Sequence, residues 1–306
     1  MNMSRLKSLI LMSLMLATSL PGFSSQNTEP SLRVQPPAWS GTIEKKASLS
    51  FGGRSVSNSP SKEAEYFNIY YNPWLKFRYA EYRSSRESIF SGKLRLPKIS
   101  GVTFEDAIIS AKTAYEQTEI LLAVAVSLKR IHSLGLIHGD VHRFNFILNQ
   151  TDDRWAAYPV DFGHTKAIGD GAYVTSGDNG YGAEWWSPDR KGYDSMGKKP
   201  RMPSIRPPAH PKHDIYSFFK ITRRFYLHHH AASINLISPL DSQFEKLASE
   251  SMTYRHSWSS VMTLLKPLDD IISRLEAMRV QFKELNSNKQ SMDTYHDGDC
   301  EESKQG

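Results

Sequence analysis

The sequence predicts an α+β fold, with a small β-rich lobe ahead of a larger helical lobe. Three observations lead there. Strand-like and turn-like segments crowd the front third. Helical periodicity dominates the back half. Between them, two short apolar runs carry an Asp, an Asn and a second Asp on a tight glycine turn.

Taken in order, Ala47 to Phe51 is strand-like, Gly52-Gly53 makes a turn, and Arg54 to Ser57 returns as a second strand. Tyr66 to Tyr71 is aromatic and reads as a strand. Pro73 then stands at the first turn of a helix passing through Trp74, Phe77, Ala80 and Tyr82 toward Ile89. Leu94 to Ile99 is extended, and Gly101 is a turn. Thr103 with Asp106 marks a helix start. A longer helix follows from Tyr115 to Leu134. It carries Ile120, Leu121, Val124, Leu128 and Ile131 on one face and stops at Gly135. Gly169 to Gly182 is loop, and the proline-rich stretch Lys198 to Pro211 is irregular. Helices resume over His213–Leu227, Ser242–Ser249, Ser257–Leu265 and Leu268–Leu285.

At 306 residues the chain can bury one large core or two modest ones, which suits a single two-lobed domain. That domain is expected over residues 46–286, its small lobe at 46–99 and its large lobe at 100–286. Residues 25–45 are polar and proline-rich and read as a linker. Residues 287–306 end in an acidic cluster and read as a disordered tail. The net charge of +6 comes from scattered basic residues without interleaved aromatics, which argues against a nucleic-acid partner. The single cysteine, Cys300, excludes an intramolecular disulfide and a cysteine metal cluster.

Residues 1–24 follow the layout of a secretory signal peptide. Arg5 and Lys7 precede an apolar run from Ser8 to Leu20, and small residues surround Gly22. The run is shorter than the ~20 residues a bilayer span needs, so export without a lasting membrane span is expected. The destination would be the exterior or, for a translocated effector, another cell.

The chemistry concentrates in Ile137-His138-Gly139-Asp140-Val141-His142-Arg143-Phe144-Asn145-Phe146-Ile147-Leu148 and in Val160-Asp161-Phe162-Gly163. Phosphoryl transfer needs cations on phosphate oxygens and a carboxylate that positions the acceptor hydroxyl. Asp140 lies in a loop after the long helix, where a carboxylate can face a cleft. Asn145 lies one short loop on, where its side-chain oxygen can ligate a hard cation. Asp161 opens a turn that Gly163 lets bend sharply, which brings a second carboxylate to the same place.

His138 to Asn145 and Asp161-Phe162-Gly163 resemble the catalytic loop and metal-binding turn of the protein kinase superfamily. Trp186-Ser187-Pro188-Asp189 is similar to the end of a kinase activation segment. Asp214 to Phe218 resembles the helix start that anchors the catalytic loop, and Arg255 resembles the late arginine that would pair with Asp189. The resemblance implies a two-lobed kinase-like fold that uses ATP with Mg²⁺. Asn145 and Asp161 would hold metal and nucleotide, Asp140 would be catalytic, and the substrate would be Ser/Thr hydroxyls of a protein. It also implies a glycine turn over the phosphates, for which Gly52 and Gly53 are the candidates.

Two departures stand out. Gly139 replaces the family's usual Arg, and with His142 it resembles the loop of aminoglycoside and choline kinases, so a small-molecule acceptor is an alternative. The strand expected to supply a nucleotide-binding lysine, Tyr66 to Tyr71, has none. Lys62 and Lys76 flank it, with Glu81 or Glu87 as pairing acids. The missing lysine makes a pseudokinase, a binding or scaffold module without catalysis, the other alternative.

Overall fold

The central strand of the front sheet is Ser91–Ile99, whose Leu94, Leu96, Pro97 and Ile99 are buried while Lys93 and Lys98 are exposed. We number elements along the chain. In the computed structural model, residues 35–48, 59–76, 79–84, 91–151, 154–170, 208–229 and 268–298 are described. They comprise β1 (Trp39–Ser48), α1 (Pro60–Leu75), β2 (Glu81–Ser84), β3 (Ser91–Ile99), β4 (Val102–Thr103), α2 (Phe104–Ser110), α3 (Ala114–Ser133), β5 (Leu136–Ile137), β6 (Phe146–Thr151), β7 (Arg154–Pro159), a 3₁₀ turn (Phe162–His164), β8 (Lys166–Ala167), α4 (Pro211–His229) and α5 (Leu268–Gly298).

β3 is flanked antiparallel by β1 and β2, giving the order β1-β3-β2. β1 pairs along nearly its whole length, from Trp39 opposite Ile99 to Ser48 opposite Ser91. Among the described residues, regular structure therefore begins at Trp39, inside the stretch read as linker. Ahead of β1, Tyr158 donates to the Pro36 carbonyl (3.2 Å) and Thr151 hydrogen-bonds Gln35, which lays residues 35 and 36 along the β6–β7 pair.

α1 corrects the reading of residues 66–89. Tyr66 to Tyr71 is helix, not strand. Ser59 caps it, its Oγ accepting from the Lys62 amide, and Pro60 occupies the first turn. Phe67, Tyr70, Tyr71 and Leu75 then fall on one buried face at helical spacing. Pro73 lies inside this helix rather than at the start of another, and Glu81 to Ser84 is strand. The aromatics favour β structure only as side chains that suit a half-buried pleated surface, and here tertiary packing prevails.

The helical part follows its sequence pattern closely. Thr103 caps α2 through the Asp106 amide. Thr113 and Glu116 close a capping box on α3, and Gly135 ends that helix in a left-handed conformation (φ +72°). Ile120, Val124, Leu128 and Ile131 are fully buried. Each contributes roughly 1.5–3 kcal/mol relative to exposure. α5 packs on α3 with Ile271, Ile272 and Leu275 inward; Arg279 bridges to Glu119 (3.4 Å) and Lys129 to Asp269. α5 continues to Gly298 and so takes in residues 287–298 of the stretch read as a tail. Among the described residues no helix is long and apolar enough to cross a membrane.

Candidate functional site

β6 and β7 form an antiparallel pair whose open end carries the chemistry. Phe146 pairs with Pro159, and one step further the Val160 amide donates to the Asn145 carbonyl (2.9 Å). The ladder thus sets Asn145 beside the chain that leads into Asp161. Phe146 and Leu148 on β6 and Tyr158 on β7 are buried, which fixes the register and therefore the pairing of the two motifs.

The loop between β5 and β6 is held from below by Asp214, near the start of α4. This carboxylate is buried and accepts from the amides of His138 (2.7 Å) and Gly139 (2.8 Å) and from His132 Nε2 (3.0 Å). Burial alone would raise its pKa. The hydrogen bond and charge of His132, with His138 and the Gly139 amide, outweigh that and hold it below the usual carboxylate value. The anchoring role expected for Asp214 is what the geometry displays.

His138 is wholly buried, and burial pushes its pKa below the usual imidazole range despite Asp214 and Asp140 nearby. Its Nδ1 accepts from the Asp140 amide (3.2 Å), which leaves Nε2–H to donate to the Val160 carbonyl (3.0 Å). Its ring stacks on Phe146 and touches Phe162, which meets Phe67, Tyr70 and Tyr71 of α1. A continuous aromatic column therefore joins α1 to the loop.

Gly139 explains its own identity. It has φ +76°, and a Cβ there would lie 2.3 Å from the His164 carbonyl oxygen. An arginine has no room in this conformation.

Asn145 Nδ2 donates both to the Asp140 carbonyl (2.9 Å) and to Asp140 Oδ2 (3.1 Å). His142 Nδ1 accepts from the Phe144 amide (3.2 Å), so its Nε2–H faces Asp140 Oδ2 at 3.4 Å. The Asp140 carboxylate is thus oriented from two sides. Asp161 adopts a left-handed conformation (φ 61°) and accepts from the Gly163 amide (3.4 Å).

The decisive contact was not anticipated. Lys45 of β1 lies 2.9 Å from Glu63 Oε1 of α1 and 3.5 Å from Asp161 Oδ2. Burial works against its charge, but Asp161 and Glu63 together raise its pKa above the usual lysine value. Glu63 is shifted up by burial, which Lys45 only partly offsets. A strand lysine and a helix acid are therefore both present, and they are not those weighed from the sequence. Lys62 pairs with Glu65 on the exposed side of α1, and Glu81 sits on β2 with Arg83 and Arg95.

Comparison with known proteins finds distant structural similarity. No protein-family profile matches the chain, and no curated protein is similar in sequence. Among solved structures, the chain is similar to the kinase PK-1 of the Cydia pomonella granulovirus, with 13% identity and a TM-score of 0.39 over 60% of this chain. It spans 58% of that kinase's length. It is also similar to vaccinia related kinase 3, with 11% identity and a TM-score of 0.47, covering 85% of this chain and 93% of that one.

Asp140, Asn145 and Asp161 are thus brought to one corner. Gly52 and Gly53, Glu87, Asp189, Arg255 and residues 1–24 lie outside the described residues.

Among the described residues no three His, Cys, Asp or Glu side chains cluster as a metal cage. Mg²⁺ takes one or two carboxylates together with substrate phosphates. The donors present are of the right hardness: the half-exposed Asp161 carboxylate and the Asn145 side-chain oxygen, with the Lys45 cation alongside.

Proposed function

We propose that the chain is a phosphotransferase of the protein kinase type, using ATP with Mg²⁺ and passing a phosphoryl group to Ser/Thr hydroxyls of a protein. The observation that carries this is Lys45, paired at once with Glu63 and Asp161. Kinase chemistry needs both the lysine–glutamate ion pair and the metal-binding aspartate in place. The pseudokinase alternative drew on an absent lysine, and Lys45 removes that ground.

In this reading Lys45 would bind nucleotide phosphate oxygens, and Asn145 and Asp161 would hold Mg²⁺, which would supply charge neutralisation to the phosphates. Asp140, steered by Asn145 and His142, orients the acceptor hydroxyl and receives its proton as the new P–O bond forms and ADP leaves. His138 and Asp214 hold the loop that presents Asp140. Export through residues 1–24 belongs to the same proposal. It would deliver the enzyme to a compartment or host cell that supplies ATP.

Gly139 and His142 favour a second reading, a small-molecule acceptor of the aminoglycoside or choline type. Magnesium-dependent ATP hydrolysis and autophosphorylation test the first reading, comparing wild type with Asp161→Ala and Lys45→Met. Both variants should lose activity, and a wild-type protein that binds no nucleotide overturns the catalytic reading. Transfer to choline or an aminoglycoside without transfer to protein would establish the second reading instead.

A further inference from the structure

Glu63 sits in the first turn of α1, and its pairing with Lys45 depends on where that helix lies. Helices at such junctions shift by 1–2 Å between states, enough to break a 2.9 Å ion pair. What fixes α1 is therefore part of the site.

The carboxyl-terminal half of α1 is tied to α3 and β7 by buried polar contacts. Tyr70 Oη shares a hydrogen bond with Ser127 Oγ (3.0 Å), and Tyr71 Oη donates to the Pro159 carbonyl (2.7 Å). Arg130 of α3 adds the third tie. Its Nη2 donates to the Tyr70 carbonyl (3.0 Å), and its guanidinium lies 4.3 Å from the Trp74 ring centroid and 5.2 Å from that of Tyr70. The placement has an electrostatic reason. α1 has no basic residue in its last turn, so Arg130 brings from α3 the positive charge that a helix carboxyl end favours.

We propose that Arg130 is a positioning residue for phosphoryl transfer: by clamping the carboxyl end of α1 it holds Glu63 against Lys45. The proposal rests on the kinase reading above for its catalytic consequence, but the clamp itself is independent of catalysis. Arg130 touches neither Lys45 nor Glu63. It acts through two turns of a helix whose other contacts, the Tyr70 and Tyr71 hydroxyls, remain when Arg130 is replaced.

The experiment uses the full chain with Arg130→Met, which keeps the stem and removes the guanidinium, and Arg130→Lys, which keeps the charge without the planar face. Two readouts are taken below the melting temperature of each variant. The first is the rate at which an amine-acylating reagent modifies Lys45 relative to exposed Lys93, followed by mass spectrometry without nucleotide. The second is the split between KM for MgATP and kcat.

The expected result is Lys45 acylation about fivefold faster in Arg130→Met, with an intermediate rate in Arg130→Lys, the size expected when coupling through a packed network is weakened. KM for MgATP should rise by a similar factor. Unchanged Lys45 reactivity and KM alongside a lowered melting temperature would make Arg130 merely structural and overturn the proposal. If Arg130→Met does not fold, Arg130→Lys decides by the same two criteria. A wild-type protein with no ATP affinity would defeat the kinase reading alone, because Lys45 protection still reports the clamp.

Discussion

Asp214→Asn should be the most damaging conservative substitution in the site. The carboxylate accepts three hydrogen bonds, Oδ1 from the Gly139 amide and Oδ2 from the His138 amide and His132. An asparagine is nearly the same size but replaces one oxygen with a donor. With its NH₂ toward Gly139, that amide loses its acceptor; turned the other way, His138 does. A buried donor left facing another donor costs roughly 1–3 kcal/mol, and loss of charge from the remaining bonds adds to it, for a total of about 3 kcal/mol. In a chain of 306 residues, with about 2.1 cal/mol/K of unfolding entropy per residue, that corresponds to a fall in Tm of about 5 °C. Urea denaturation followed by circular dichroism measures it, and the m-value should stay unchanged because the unfolded surface is the same. Phosphoryl transfer should fall as well, since the displaced peptide carries Asp140. A variant within about 1 kcal/mol of wild type would refute the claim that these two amides depend on Asp214.

Gly139→Ala should cost at least about 2 kcal/mol in the same assay, because the left-handed backbone is strained for alanine and its Cβ meets the His164 carbonyl. His138 predicts an acid limb. Its folded pKa is depressed below 6.5, so the unfolded chain binds a proton that the folded chain refuses, and stability should fall as pH drops below about 6.5. His138→Gln should flatten that limb between about pH 6.5 and 5 in urea titrations. Asp214, with its pKa held down by its partners, adds a further loss only as pH falls below about 3.8. His142→Leu should lower kcat by about tenfold with little change in KM for ATP. His142→Gln, which can keep a donor toward Asp140 Oδ2, should recover most of that loss.

The helical part and the Asp140–Asp161 corner were legible because the sequence states their physics locally. α3 carries a capping box, a five-residue apolar face and a terminal glycine, and the β6–β7 pair is two apolar strands whose ladder sets Asn145 beside Val160. Of the front sheet only β3, read as extended over Leu94–Ile99, was legible, and the rest was not, for two separate reasons. The Tyr66–Tyr71 aromatics suggest a strand when read alone, and only their burial against Phe162 shows a helix face. β1 is a flanking strand whose Thr42, Ile43 and Glu44 are all exposed, so it shows no alternation of apolar and polar residues, and Lys45 disappears among ordinary surface charges. Its partner Glu63 is 18 residues away, a distance that no local pattern spans.

The two ion pairs of Lys45 are unequal, and the difference bears on how the site works. The Glu63 pair is shorter, and that carboxylate is only 12% exposed; the Asp161 pair is longer, and that carboxylate is 46% exposed. The Asp161 charge is the larger electrostatic influence on Lys45, while the Glu63 hydrogen bond is shorter and less exposed to screening by water. Asp161 is therefore the carboxylate that Lys45 can release to a competing cation while remaining in position itself. The clamp on α1 maintains this asymmetry. It keeps Glu63 close, which leaves Asp161, on its left-handed turn at the end of β7, as the accessible acid of the pair.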